Sequence, residues 1–180
     1  ISDLGIIIEN KVYYVSGKSL FTKVETEKGE AYNISDDKFV VLGVGQVQTR
    51  KGVLDFIKVA KKMPGIQFVW CGGFSFGKIT DGYSELKKIV DNPPDNVIFT
   101  GIVEREEMND FYNMADVLFM LSYNELFPMS ILEAVNSEKP LVLRDLDLYH
   151  DILFDKYLAC KNTTDFVSQI RNLKEDKVVK

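Results

Sequence analysis

KFVVLGVGQVQTRKGVLDFIKVAKKMPGIQFVWCGG, residues 38–73, holds two largely apolar runs on either side of an amphipathic segment. The runs at 38–45 and 66–73 are rich in β-branched and aromatic residues and end in glycines, which is typical of strands buried on both faces. Residues 52–63 place most of their apolar side chains at helical spacing and stop at a Pro-Gly pair. The stretch therefore predicts a strand, a helix and a second strand, the repeating unit of a parallel sheet.

The same alternation continues after residue 73. Further strands are predicted at 96–101, 116–122, 140–145 and 156–160, and helices at 83–91, 104–115, 128–139, 149–154 and 163–176, the last with a Thr or Asp cap. Alternation with short linkers predicts a doubly wound α/β domain over residues 38–180, with helices on both faces of a parallel sheet. Residues 1–37 differ, because brief strand-like alternation gives way to a polar stretch; we predict peripheral strands and a connector there.

Composition and charge narrow the classes of function. The chain has 180 residues, 46% of them apolar, enough for one compact domain with its own core. A net charge of −5 without a basic stripe predicts no nucleic-acid partner and argues against electrostatic attachment of this domain to an anionic membrane. No apolar stretch reaches the roughly 18 residues of a transmembrane helix. The sequence begins without Met and has no signal-peptide pattern, so we expect a fragment of a longer cytoplasmic protein.

Cysteine and histidine offer little chemistry. Cys71 and Cys160 have no metal-binding or CxxC spacing, and we interpret them as reduced, buried thiols. His150 is the single histidine, and no nucleophile motif accompanies it, which disfavours a histidine metal site or a catalytic triad. Doubly wound sheets bind ligands outside the carboxyl ends of their strands, so the chemistry must lie in the loops there. These loops are 43–52, 71–81, 100–105, 122–130 and 144–150.

The first of these loops has features of a phosphate site. Gly43 and Gly45 fit two positions of the dinucleotide fingerprint G-x-G-x-x-G, but Gln48 occupies the third, and no Walker motif is present. The second strand ends in glycines instead of an acidic residue for a ribose, so a nicotinamide dehydrogenase is disfavoured. Arg50 and Lys51 at the mouth of the next helix suit a diphosphate, although a solvated basic pair is the simpler interpretation of these residues alone.

Two other loops carry weaker signals. CGGFSFGKITDGY, with Gly73, is glycine-rich and lets a ligand approach the backbone, but a plain turn explains it equally well. TGIVEREE places Gly101 after a strand, where backbone groups are able to hydrogen-bond the edge of a planar base.

NELFPMSILEAV, residues 124–135, places two carboxylates around a predicted helix start. Pro128 suits the first position of a helix, so the amides of residues 129–131 would be unsatisfied and electropositive. Glu125 lies before the helix and Glu133 within it. A helix start for an anion beside carboxylates for hydroxyls fits a nucleotide sugar. The alternative is that Glu125 caps or is exposed and that Glu133 lies on a solvated face.

Taken in order, GVGQVQTRKGVLDFI, FVWCGG, NVIFTGIVEREEMNDFYNMADVLFMLSYNELFPMSILEAV and KPLVLRD resemble the C-terminal, donor-binding domain of retaining glycosyltransferases of the GT-B fold. The resemblance is to their large fourth family, marked by Glu-x(7)-Glu, and covers residues 38–155. It implies a Rossmann-like domain that is one half of a GT-B fold. It also implies a nucleotide diphosphate sugar as donor, no metal or other cofactor, and an acceptor domain N-terminal to this chain.

The resemblance also implies roles for individual residues. Glu125 would contact sugar hydroxyls near the reacting carbon, Glu133 would hydrogen-bond the ribose, and Lys51 would hold the diphosphate. We predict Glu125 and Lys51 as catalytic residues without a covalent nucleophile, and expect the base near 101–103 and the phosphates near the amides of 127–130. The full set of predicted donor-binding residues is Gly45, Arg50, Lys51, Gly73, Gly101, Ile102, Val103, Glu125, Phe127, Pro128, Met129, Ser130 and Glu133.

Two positions depart from the family pattern. Gln46 stands where the family usually has an arginine, so either Arg50 supplies the missing charge or the affinity for the diphosphate is lower. Glu138 stands where the family usually has a glycine, two residues before Pro140, which affects the helix end more than the chemistry.

A narrower resemblance concerns the acceptor. QTRKGVLDFIKVAKKMPGIQFVWCGGFSFG, NELFPMSILEA and RDLDLYHDIL are similar to bacterial glycosyltransferases that act on diacylglycerol or its monoglycosylated form. It implies hexose transfer from UDP-glucose or UDP-galactose to a glycolipid acceptor, at the inner membrane face, with this domain inactive alone. The alternatives are a capsule or other polysaccharide glycosyltransferase and a noncatalytic nucleotide- or sugar-binding module.

Overall fold

The structure is a computed structural model of the chain. It describes residues 5–8, 11–14, 32–35, 37–126, 128–154 and 156–178. Near the N-terminus, strands β1 (Gly5–Ile8) and β2 (Lys11–Tyr14) pair antiparallel in a small two-stranded sheet. Much of the predicted connector lies outside the described residues, and the division of the chain at residue 37 stays a prediction.

A six-stranded parallel sheet follows, with the strand order β5-β4-β3-β6-β7-β8. Its strands are β3 (Val40–Val44), β4 (Gln67–Cys71), β5 (Val97–Gly101), β6 (Val117–Met120), β7 (Leu141–Arg144) and β8 (Leu158–Cys160). Leu42 of β3 pairs with Val69 of β4 on one side and with Leu118 of β6 on the other. The predicted doubly wound sheet is confirmed, and its order reverses between β3 and β6, the point where such sheets bind ligands.

Within the described residues, six α-helices cover the sheet: α1 (Val53–Lys61), α2 (Tyr83–Asp91), α3 (Met108–Met114), α4 (Met129–Asn136), α5 (Asp147–Leu153) and α6 (Thr163–Val178). Buried side chains of α1, α2 and α6 share one core cluster, and those of α3, α4 and α5 share the other. Val41 belongs to the first cluster, whereas Val40 and Leu42 belong to the second, as the alternation of a strand requires. Helices therefore lie on both faces. None of the described helices has the length and apolarity to cross a membrane.

Two helices begin elsewhere than predicted: α3 begins at Met108, after a 3₁₀ turn (Arg105–Glu107), instead of at 104, and α5 begins at Asp147 instead of at 149. Two helix caps also differ from the sequence-based expectation. Helix α4 begins at Met129, and Pro128 is its N-cap instead of its first residue, because a ψ of 81° takes Pro128 out of the helical region. The cap of α6 is Asn162 and not a Thr or Asp. Its side-chain oxygen accepts the amides of Thr164 at 2.9 Å and Asp165 at 3.1 Å. The two cap corrections move a helix boundary by one or two residues and leave the helices themselves unchanged.

Candidate functional site

Lys51 and Glu125 form an ion pair where the strand order reverses. Lys51 ends a 3₁₀ turn (Thr49–Lys51) after β3, and Glu125 lies in the segment after β6. The Lys51 Nζ and Glu125 Oε1 atoms are 2.6 Å apart, and the two side chains are only 14% and 7% exposed. The fold thus brings together two residues that are 74 positions apart and that the sequence singled out independently.

Backbone contacts fasten the segment of Glu125 to the turn of Lys51. The Tyr123 amide donates to the Arg50 carbonyl at 2.8 Å, and Arg50 Nη1 donates back to the Asn124 carbonyl at 3.2 Å. Gly52, at a φ of 75°, passes so close that a Cβ there would lie 2.3 Å from the Leu121 carbonyl oxygen. Arg50 is therefore engaged with the Glu125 segment, while its proposed compensation for Gln46 stays a prediction.

Gly45 provides a small surface beside Lys51. Its φ is 147°, and an added Cβ would lie 3.4 Å from Lys51 Cδ, so the lysine stem runs over the glycine. Trp70 Nε1 donates to the Gly45 carbonyl at 2.9 Å. Nearby, the Gln48 side chain donates to Gln46 Oε1 at 2.9 Å, so the residue at the family's arginine position is paired with a neutral neighbour.

Glu133 is held by a tyrosine that the sequence reasoning missed. The hydroxyl of Tyr112, on α3, donates to Glu133 Oε2 at 2.7 Å, and Tyr112 is only 1% exposed. Burial raises the pKa of Tyr112, and the bond to the Glu133 carboxylate raises that pKa further, so the hydroxyl remains a donor. In the sequence, Tyr112 lies within the helix predicted at 104–115, and no motif there indicates a partner for its hydroxyl.

The predicted anion site lies at the start of helix α4. In the described part of the chain no side chain caps this helix, and Pro128 is its N-cap. Met129 is 49% exposed, and Ser130 is half-buried with its hydroxyl 3.8 Å from the sulfur of Met120. Phe127 lies outside the described residues, so its predicted contact stays untested.

The remaining predicted residues lie on the β4–β5 side of the sheet. The Gly72 amide donates to the Gly101 carbonyl at 2.9 Å, which joins the ends of the two strands. Gly101 has a φ of 75° with no atom near an added Cβ, and Ile102 is 69% exposed. A Cβ at Gly73 would lie 3.0 Å from Ile102. Val103 packs its side chain against the core face of α3, α4 and α5, so only its backbone is suited to ligand binding.

The other sequence interpretations have clear structural counterparts. Cys71 and Cys160 are free and buried, as predicted, and burial raises the pKa of each thiol to about 12. Glu138 has a φ of 54°, which explains why a glycine suits this helix end. Within the described ranges no cluster of three or more His, Cys, Asp and Glu side chains is placed to hold a metal ion, and the absence of a cofactor stays a prediction.

Comparison with known proteins gives the family. A family model described as "Glycosyl transferases group 1" matches residues 24–180. The chain belongs to this family. Group 1 glycosyltransferases with similar sequences include the alpha-galactosylglucosyldiacylglycerol synthase of Streptococcus pneumoniae, 56% identical over 126 residues that cover 70% of this chain and 34% of the relative. Another is the processive diacylglycerol alpha-glucosyltransferase of Acholeplasma laidlawii, 36% identical over 75% of this chain and 40% of the relative.

The solved structures agree on the fold. The Anabaena protein Alr3699/HepE, crystallised in complex with UDP and glucose, superimposes with a TM-score of 0.67 at 20% identity, over 90% of this chain and 44% of that one. The chain thus spans between a third and a half of the length of these three relatives.

Proposed function

We propose that this chain is the donor-binding half of a retaining glycosyltransferase that transfers a hexose from UDP-glucose or UDP-galactose to a diacylglycerol-type glycolipid. The observation that carries the proposal is the Lys51–Glu125 pair at the point where the strand order reverses, with Glu133 on the neighbouring helix α4. Both named relatives carry "diacylglycerol" in their names, and they share 56% and 36% of the aligned residues with this chain.

Each charged side chain has a separate task in this mechanism. Lys51 stabilises the negative charge that develops on the leaving diphosphate, which is electrostatic catalysis by a group fixed beforehand. Glu125, which lies 2.6 Å from the Lys51 ammonium, accepts hydrogen bonds from sugar hydroxyls. Glu133, oriented by Tyr112, accepts hydrogen bonds from the ribose. No residue is assigned as a covalent nucleophile.

The acceptor belongs to the part of the protein that this chain does not contain. The chain spans 34% and 40% of the two relatives, so the proposal places an acceptor-binding domain in the remaining length. A diacylglycerol-type acceptor requires the complete enzyme to work at a membrane surface, and we propose peripheral attachment at the cytoplasmic face.

A second candidate is a noncatalytic nucleotide- or sugar-binding module. The observation that favours it is Gln46, which stands at a position usually occupied by an arginine and is paired with the neutral Gln48. Weaker binding of the diphosphate would also weaken the stabilisation of charge that develops on it in the transition state. Turnover of UDP-sugar by the full-length protein with a diacylglycerol acceptor separates the two candidates.

Calorimetric titration of the protein with UDP, GDP, ADP and NAD tests the donor site. We expect UDP to bind tightest and Glu133→Ala to weaken it at least tenfold, because a hydrogen bond to a carboxylate contributes about 1.5–3 kcal/mol. Glu175→Ala is the matched control, since Glu175 is exposed on α6 beside the turn that precedes β4, at the opposite edge of the sheet. Unchanged UDP binding by Glu133→Ala would contradict its assignment to the ribose.

A further inference from the structure

Arg144, the last residue of β7, contacts the segment that carries Glu125. Its side chain is only 14% exposed. Arg144 Nε donates to the Leu121 carbonyl at 2.9 Å, and Nη2 donates to Asp55 Oδ2 at 2.6 Å. The guanidinium also lies 4.0 Å from the ring centre of Tyr123, a cation–π contact. One side chain therefore contacts both the segment that follows β6 and a residue of helix α1.

Asp55 is the second member of this cluster. It accepts the Tyr123 hydroxyl at 2.5 Å and Lys58 at 3.0 Å, in addition to Arg144. Burial alone would raise the pKa of Asp55, but the hydrogen bonds from Tyr123, Lys58 and Arg144 outweigh burial and hold its pKa below the usual value. Asp55 is therefore a carboxylate, and it lies in the first turn of α1, four residues after Lys51.

The cluster and Arg50 together fasten the segment that precedes Glu125 of the ion pair. Arg144 and Asp55 join β7, α1 and Tyr123, while Arg50 joins the Lys51 turn to Asn124. Glu125 is the residue that follows this doubly fastened segment. Its carboxylate is thus placed by the backbone of 121–124, and that backbone is placed by the two arginines.

Packing alone does not account for this choice of residues. A mostly buried ion pair contributes little net stability, and apolar side chains of similar volume are often as good or better. Arg144 instead fixes the relative position of the groups it contacts, since a planar guanidinium with two bonded nitrogens and a stacked ring tolerates little displacement. We propose that Arg144, with Asp55 and Tyr123, is a positioning residue. It sets the location of Glu125 relative to Lys51 and thereby the affinity for the donor sugar.

This inference rests on the proposed function and makes a prediction that general destabilisation does not. Glu125 is assigned to the sugar, whereas Lys51 and Glu133 are assigned to the diphosphate and ribose. In Arg144→Met, the affinity for UDP-glucose or UDP-galactose should therefore fall by about tenfold to a hundredfold, the scale of losing one hydrogen bond to a charged group. The affinity for UDP should fall by less than threefold. A partly unfolded variant would instead show fewer binding sites with an unchanged ratio of the two affinities.

Milder substitutions in the cluster should lower the affinity for the UDP-sugar by smaller amounts. Arg144→Lys keeps the charge without the planar fork and should lose an intermediate amount, and Asp55→Asn should behave like it. Tyr123→Phe keeps the ring under the guanidinium and loses only the bond to Asp55. Arg171→Met is the matched control, because Arg171 is exposed on α6 beside the turn before β4. Melting temperatures identify any variant that fails to fold, and the milder substitutions then decide.

Amide hydrogen exchange tests the positioning without a ligand. The Tyr123 amide bonds the Arg50 carbonyl, so its exchange should become at least tenfold faster in Arg144→Met, while the Val69 amide in central strand β4 stays protected. Unchanged exchange at Tyr123, or equal losses of UDP and UDP-sugar affinity, would overturn the inference. If the unmodified protein bound no nucleotide, the proposed function would fail, and exchange at Tyr123 would still decide the role of Arg144.

Discussion

The two halves of the candidate site differ in how firmly the fold holds them. On the β3–β6 side, Lys51 and Glu125 are 14% and 7% exposed and are bonded to each other. On the β4–β5 side, Ile102 is 69% exposed, and a Cβ at Gly101 would meet nothing within 4 Å. One half is charged and built from side chains, and the other is open and built from backbone and apolar surface.

This difference matches the chemistry assigned to each half. Stabilising a leaving diphosphate requires charges that are in place before the reaction, because reorienting them during the reaction would raise the barrier. Recognition of a base by backbone groups and apolar contact needs less exact placement. The contrast predicts that substitutions in the charged half cost more, in both stability and binding, than matched substitutions in the open half.

Gly52 and Gly101 give the largest expected contrast, because both have a φ of 75° but differ in their surroundings. A Cβ at Gly52 would lie 2.3 Å from the Leu121 carbonyl oxygen, whereas Gly101 has open space. We expect Gly52→Ala to lower the free energy of unfolding by about 3 kcal/mol and Gly101→Ala by about 1 kcal/mol, the cost of the backbone conformation. Urea unfolding measures both, and equal losses would show that the two segments do not need their close approach.

A double-mutant cycle on Lys51 and Glu125 should give the next largest effect. Lys51→Met and Glu125→Gln should each cost about 2 kcal/mol, because each leaves a mostly buried group without its partner, and the double variant should lose less than the sum. UDP binding should remain weak in both variants that lack Lys51. The control pair is Lys87 and Asp91, an exposed ion pair on α2 whose coupling should stay below about 0.5 kcal/mol. Similar coupling in both pairs would remove the basis for calling one half fixed.

The sequence predicts the fold well because its strands carry unmistakable patterns. In residues 38–73, both strands are largely apolar, and the structure buries every residue of β4, including Gln67. Lys51 and Glu125 were found through short motifs, since each motif lies on one continuous segment. Their roles stay predictions, although the structure brings their side chains together.

The contacts that complete the site were not predictable in the same way. Tyr112 reaches Glu133 across two helices, and Arg144 reaches Asp55 across 89 positions. Such pairs depend on how the helices and strands pack, and the local spacing of residues in the sequence does not predict that packing. The predicted position of Pro128 was wrong by one residue, because a single ψ angle decides whether a proline is the cap or the first residue of a helix.

Glu138 isolates the conformational part of the Gly52 effect. It has a φ of 54° at the end of α4, a conformation that favours glycine. Glu138→Gly should therefore raise the free energy of unfolding by about 1 kcal/mol, similar in size to the loss expected for Gly101→Ala. Urea unfolding checks the sign, and Glu106→Gly, at an exposed position with no such backbone, serves as the control that should not stabilise. A loss of stability in Glu138→Gly would show that its side chain makes compensating contacts.

Ile102→Ser should have the smallest effect and tests the open half directly. Because Ile102 is 69% exposed, its replacement should change the free energy of unfolding by no more than about 0.5 kcal/mol. If the base is recognised by the backbone of 101–103, the UDP dissociation constant should change by less than about twofold. Ile79→Ser is the matched control, since Ile79 is 87% exposed on the loop after β4. A tenfold loss in Ile102→Ser alone would mean that the base packs on this side chain, and the open half would then depend on side chains as the charged half does.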